Sequence, residues 1–185
     1  EYVRKMIKKF YGLDSLVIRP PVDPKKILVR DEISRDCITV VGDNPLSGHT
    51  FLGKLAKEMP HLKFWSIGYD AQNNKYGLNN LKITKKYMKD RKEIYKRTLI
   101  MLMPRQHDET FGRVALESMI NGIPVICSNC GGTEEIVPKD FVIPNSKNDV
   151  GEWKEKINQV LNNYIPVSNR MKKCALRKEF NYKYI

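Results

Sequence analysis

Short apolar runs, separated by stretches with helical spacing, limit what this chain can become more than any other feature. The runs lie at 38–41, 64–67, 81–83, 99–103, 124–127 and 141–143. Gly42, Gly68 and Pro104 close three of them directly, and Gly131-Gly132 opens a turn after the fifth. Phe51, Leu52, Leu55 and Ala56 recur on one helical face, and helices are expected over 50–58, 89–97, 111–120, 153–161 and 171–180. Strands this apolar are buried on both faces, which predicts an α/β fold: a Rossmann-like parallel sheet with helices on both sides. Ligands of such sheets bind beyond the carboxyl ends of the strands. The loops that matter are therefore 42–49, 68–80, 104–112 and 127–133.

Composition narrows the class. With 185 residues, 41% of them hydrophobic, the chain is not disordered and can bury a core of its own. No run approaches the ~18 apolar residues of a membrane span. The start, Glu1-Tyr2-Val3-Arg4-Lys5, lacks a Met and a signal-peptide core, and the sequence reads as a piece of a longer polypeptide. Residues 1–12 form an amphipathic helix by pattern, 15–18 a short strand, and Pro20, Pro21 and Pro24 a stiff linker. A boundary is placed there, giving 1–24, 25–165 and 166–185 as successive units. Four cysteines, Cys37, Cys127, Cys130 and Cys174, are too few for a disulfide scaffold and fit a reducing, cytoplasmic compartment. The lone Cys127-Ser-Asn-Cys130 pair has no second Cys/His pair nearby, so no metal site is expected.

Charge is uneven within a net +12. Lys82, Lys85, Lys86, Lys89, Arg91, Lys92, Lys96 and Arg97 stand against Asp90 and Glu93. A face of this kind suits anionic partners, or is simply a solvated helix face. No nucleic-acid-binding signature accompanies it, so nucleic acid is not the expected partner. Peripheral contact with an acidic membrane face is a further expectation.

One segment carries chemistry: Pro104-Arg-Gln-His-Asp-Glu109-Thr-Phe-Gly112-Arg-Val-Ala-Leu-Glu117. It leaves a buried strand, crosses a polar loop and enters a helix at Gly112. Free N–H groups and the positive end of the helix dipole suit phosphate or sugar hydroxyls there, and glycine allows close approach. Glu109 precedes the helix and Glu117 lies more than a turn inside it. An ionised carboxylate only accepts hydrogen bonds, which suits vicinal hydroxyls. Alternatively, Glu109 merely complements the helix N-terminus and Glu117 is a surface residue. His107, near Glu109, is as well read as a plain polar contact. No Ser or Cys nucleophile with a base can be assigned, and neither GxGxxG nor a Walker sequence occurs.

Glu109-x7-Glu117, then Gly122-Ile-Pro-Val-Ile, then Gly131-Gly132-Thr-Glu-Glu135, resembles the C-terminal, donor half of retaining glycosyltransferases of the GT-B fold, the glycosyltransferase group 1 family. The likeness runs over about 15–180. It implies a nucleotide-sugar donor, such as a UDP- or GDP-sugar, no cofactor or obligatory metal, and a glycan or lipid acceptor. It implies that Glu109 is the catalytic-site glutamate at the donor sugar and that Glu117 takes the ribose hydroxyls. Thr110, Phe111 and Gly112 would hold sugar hydroxyls or diphosphate, and Gly131 and Gly132 would close the pocket. Residues 1–18 would end the acceptor domain, a helix near 169–183 would pack back towards it, and the chain alone would bind donor weakly and transfer nothing.

The sequence departs from the family where cations are expected to clamp the diphosphate. Asp43 stands in place of an Arg and Ser47 in place of a Lys. An Asp at 4 Å from a phosphate charge costs about 4 kcal/mol at an effective dielectric of 20. Arg105, Arg113, His49 or Lys54 supplies the charge, or the loop is displaced, or catalysis is weakened. Two other readings are a degenerate nucleotide-sugar-binding domain and a sugar-nucleotide epimerase of similar architecture.

Overall fold

The computed structural model describes residues 1–30, 33–68, 77–85, 88–144, 149–177 and 180. Six strands, β1 Cys37–Val41, β2 Lys63–Ile67, β3 Leu81–Thr84, β4 Thr98–Met103, β5 Val125–Ser128 and β6 Val142–Ile143, form one sheet. Its order is β3-β2-β1-β4-β5-β6 and every pairing is parallel. In β4, Ile100, Met101, Leu102 and Met103 are all buried. Consecutive side chains point to opposite faces, so both faces of the sheet are covered. The expected Rossmann-like α/β architecture is the one found.

The helices are α1 Tyr2–Tyr11, α2 Pro24–Ile27, α3 His49–Glu58, α4 Lys92–Arg97, α5 Arg113–Ile120, α6 Val150–Asn162 and α7 Tyr164–Ala175. Helix α3 packs on β2 and on α6, where Phe51 meets Trp153 edge-on at 5.4 Å between ring centroids. Helix α5 packs on β4, β5, α2 and α7. Asp149 caps α6 by accepting from Gly151 N at 2.8 Å, and Asp23 caps α2 by accepting from Lys25 N at 3.0 Å. Among the described residues, no helix is long and apolar enough to cross a membrane.

Three local expectations are corrected. Residues 15–18 form no strand: Leu16 and Ile18 are exposed, and an apolar run this short, neither buried nor paired in the sheet, does not hold strand geometry. The linker's end winds into α2, because Pro24 occupies the first helical turn, where its missing N–H costs nothing. The last helix begins at Tyr164 rather than near 171, since Pro166 falls in its first turn, and it ends at Ala175. Residues 69–76 of one candidate loop, Lys86 of the basic cluster and residues 181–185 lie outside the described residues.

Candidate functional site

The crevice follows from strand order. The chain runs outward from β1 to β2 and from β4 to β5, so the loops leaving the carboxyl ends of β1 and β4 part and leave a gap. Gly42, just after β1, donates its N–H to Ile67 O at 3.0 Å. A side chain there would collide with Ser47 and with the Arg105 guanidinium, and one at Gly68 would collide with the Gly42 carbonyl. This bare backbone lets Arg105, from the β4 loop, lie across the end of β1. Its Nη1 donates to Ser47 Oγ at 2.5 Å and its Nη2 to Val41 O at 3.1 Å. Ser128 Oγ and Cys130 Sγ donate to the Arg105 carbonyl at 2.7 and 3.1 Å. Gln106 N donates to Leu46 O at 3.0 Å, which ties the two loops together.

The entrance to α5 is built on a second loop contact. Glu109 bridges Gly131 as in a parallel pair, and Gly132 N donates to Glu109 O at 2.6 Å. Side chains at Gly131 and Gly132 would strike the backbone of Glu109 and Thr110, so these glycines allow the two loops to touch. Gly112 takes a left-handed conformation, φ +85°, immediately before α5. A Cβ on it would stand 2.6 Å from Thr133 Oγ1. Thr133 is buried and that oxygen has no hydrogen-bond partner among the described residues. Thr110 is exposed, and Phe111 lies edge-on to Phe180 at 6.1 Å.

Glu117 lies deeper, 1% exposed. Its Oε1 accepts from Arg91 Nη1 at 2.6 Å and from Arg113 Nη2 at 3.4 Å, and its Oε2 accepts from Tyr95 OH at 2.5 Å. Burial, followed by the neighbouring Glu117 charge, pushes the Tyr95 phenol well above its ordinary value. Gly42, Asp43, Gly68, Arg91, Tyr95, Arg105, Arg113 and Glu117 are among the residues that line a cavity of about 250 Å³. A second, more open cleft of about 590 Å³ shares Arg91, Arg113 and Glu117 and runs towards Val22 and Lys26.

The residues singled out in the sequence are thus unequally placed. Glu117 and Arg113 line the cavity, so the reading of Glu117 as a surface residue is overturned. Glu109 is outside the lining, half-buried, with its Oε2 3.8 Å from Arg105 Nη2. Ser47 is fully buried and holds Arg105. Of the four cations considered for the missing charge, Arg105 and Arg113 reach the cavity. His49 is buried, with Nδ1 2.8 Å from Ser66 Oγ and Nε2 2.8 Å from Gly42 O. Lys54 lines a different cleft, with Lys57 and Lys154. Burial pushes the Cys127 thiol far up, leaving a packed core residue rather than a reactive one. Arg91 and Tyr95 were not singled out as site residues. Their four-residue spacing, which puts both on one helical face, was the available signal.

Comparison with known proteins gives this arrangement a context. Residues 65–178 match the family model described as glycosyl transferases group 1. A segment of 72 residues is 42% identical to the alpha-1,3/1,6-mannosyltransferase alg-2 of Neurospora crassa, over 38% of this chain and 15% of that protein. The structure is similar to a glycosyltransferase from Rickettsia africae, with TM-score 0.77 and 15% identity over 99% of this chain and 58% of the other. It also resembles Anabaena Alr3699/HepE in complex with UDP-glucose, with TM-score 0.67 and 17% identity over 80% of this chain and 45% of that one. The chain therefore spans only part of each relative. The family model covers the sheet from β2 onward, α5 and both acidic positions, and the chain belongs to the glycosyl transferases group 1 family.

Proposed function

We propose that this chain is the donor-binding half of a glycosyltransferase that moves a hexose from a nucleotide-sugar to a glycan or lipid acceptor with retention. The observation that carries this is the meeting of Glu117, Arg91, Arg105 and Arg113 around one cavity at the β1/β4 crevice. A carboxylate has about four lone-pair sites. Three donors already hold Glu117, and on this reading its remaining capacity takes ribose hydroxyls. On this reading Glu109, which precedes α5, contacts the donor sugar. Thr110, Phe111 and Gly112 would present backbone to it, and Gly131 and Gly132 would keep that loop in place. The mannosyltransferase in the Neurospora relative's name and the UDP-glucose in the Anabaena complex both fit a hexosyl donor.

On this reading residues 1–24 are the end of an acceptor domain and a hinge, 25–165 the donor unit, and 166–185, which includes most of α7, the crossing segment. The basic residues between 82 and 97 would face an acidic bilayer, and the protein would be cytoplasmic. Calorimetric titration of the chain with UDP-glucose and GDP-mannose tests the donor reading. Binding is expected, weakened about 10- to 100-fold by Glu117→Gln, which removes charge-assisted bonds. In the full-length protein, Glu109→Ala is expected to abolish transfer and spare nucleotide binding. No binding of either sugar-nucleotide would contradict the reading.

One observation favours a second reading, a degenerate nucleotide-sugar-binding domain: Asp43 lines the cavity where a diphosphate would lie. That reading predicts nucleotide-sugar binding by the full-length protein without turnover.

A further inference from the structure

We propose that Arg105, delivered from the β4 loop, is the residue that grips the diphosphate of the donor, in a site whose β1 loop brings no cation of its own. The inference rests on the nucleotide-sugar reading above and names the group that makes the site selective for a diphosphate.

A buried guanidinium is expensive to desolvate and persists where its charge and its N–H groups are matched. The Arg105 side chain is 8% exposed. Its two hydrogen bonds among the described residues go to neutral oxygens, Ser47 Oγ and Val41 O. Its Nε is buried and has no hydrogen-bond partner among the described residues. Glu109 stands 3.8 Å away, beyond hydrogen-bond distance. Burial lowers the guanidinium's pKa, and the charges of Glu109 and Asp43 offset only part of that. The cation is therefore hydrogen-bonded in place by neutral groups, with Glu109 in a longer ion pair, and two bonds leave guanidinium N–H donors over for an anion.

Its position agrees. Arg105 lines the 250 Å³ cavity at the point where the β1 and β4 loops part. The other two arginines there, Arg91 and Arg113, are directed to Glu117. A planar fork with five donors can meet two phosphate oxygens at once, which an ammonium cannot. The surroundings are shaped for it: Gly42 leaves the space it crosses, and Ser47 turns its hydroxyl to it rather than to the cavity. Ser47 is thus a positioning residue for Arg105.

The test is a calorimetric titration of the chain with UDP, GDP and ADP, followed by the monophosphate and the nucleoside of whichever binds. The wild type is expected to favour the diphosphate over the nucleoside by at least about 30-fold. Arg105→Gln should bring the two within about 3-fold while changing nucleoside affinity less than 2-fold. Arg105→Lys, which keeps charge and loses the fork, should fall between, and serves alone if Arg105→Gln does not fold. Lys54→Ala, with the same change of net charge, should leave the ratio untouched. An unchanged ratio in folded Arg105→Gln or Arg105→Lys overturns the proposal. So does a wild type that binds nucleoside and diphosphate equally, which leaves the nucleotide site standing. Binding of none of the three diphosphates or their nucleosides ends the nucleotide reading itself, and this one with it.

Discussion

Glu117, a carboxylate with 1% of its surface exposed, is matched in the interior by charged and hydroxyl donors that surround it. Two of those donors come from one helical face: Arg91 immediately precedes α4, and Tyr95 lies within it, one turn on. The hydrogen bond from Tyr95 is also a stability statement. Burial and the Glu117 charge raise the folded-state pKa of the phenol above its unfolded value near 10. Below pH 10 both states keep the proton and the contribution is complete. Above it the unfolded chain loses the proton first, so stability falls as pH rises. Urea unfolding between pH 8 and 11 is expected to show a decline that begins near pH 10 and is shallower in Tyr95→Phe. An identical pH slope in the two proteins would show that Tyr95 is not held as described.

At the scale of elements, α5 connects the site to the rest of the fold. Its first residue follows the left-handed Gly112, and its far end is closed by Asn121. The Asn121 side chain donates to Ile27 O at 3.1 Å and Glu117 O at 2.9 Å, and accepts from Val29 N at 2.9 Å. One side chain therefore joins α5 to α2 and to the backbone of Glu117. Asn121→Ala is expected to lower stability by about 2–3 kcal/mol, because it leaves the part-buried Val29 N–H and the Ile27 carbonyl without their side-chain partner. Chemical denaturation measures this, and a change under 0.5 kcal/mol would show that water replaces the amide. The interior elements were legible because apolar runs bounded by Gly or Pro admit few alternatives. The failures were at 15–18, 24–27 and 164–175, near the ends of the chain. There short apolar stretches and prolines have no sheet neighbours to decide their conformation, so local pattern misleads.

At the scale of the molecule, the parallel sheet was legible because six apolar runs alternating with helices leave little else for the chain to do. Its order then locates the crevice. Of the two acids marked in the sequence, Glu117 lines the cavity and Glu109 lies outside its lining. The partners of Glu117 were not legible. Arg91 reaches Glu117 across 26 residues and Arg105 reaches Ser47 across 58, and no local pattern reports such pairs. Sequence order placed Asp43 and Ser47 where cations were sought, while the fold carries a cation to the same end of β1 from β4. The most direct test of the whole account is an amide chemical-shift titration of the 185-residue chain with UDP-glucose and GDP-mannose. The predicted result is saturable shifts at Gly42, Gly112 and Arg113 for at least one ligand, all with one dissociation constant that weakens in Glu117→Gln. Shifts confined to other surfaces, or none at millimolar ligand, would contradict a donor site at the crevice between β1 and β4.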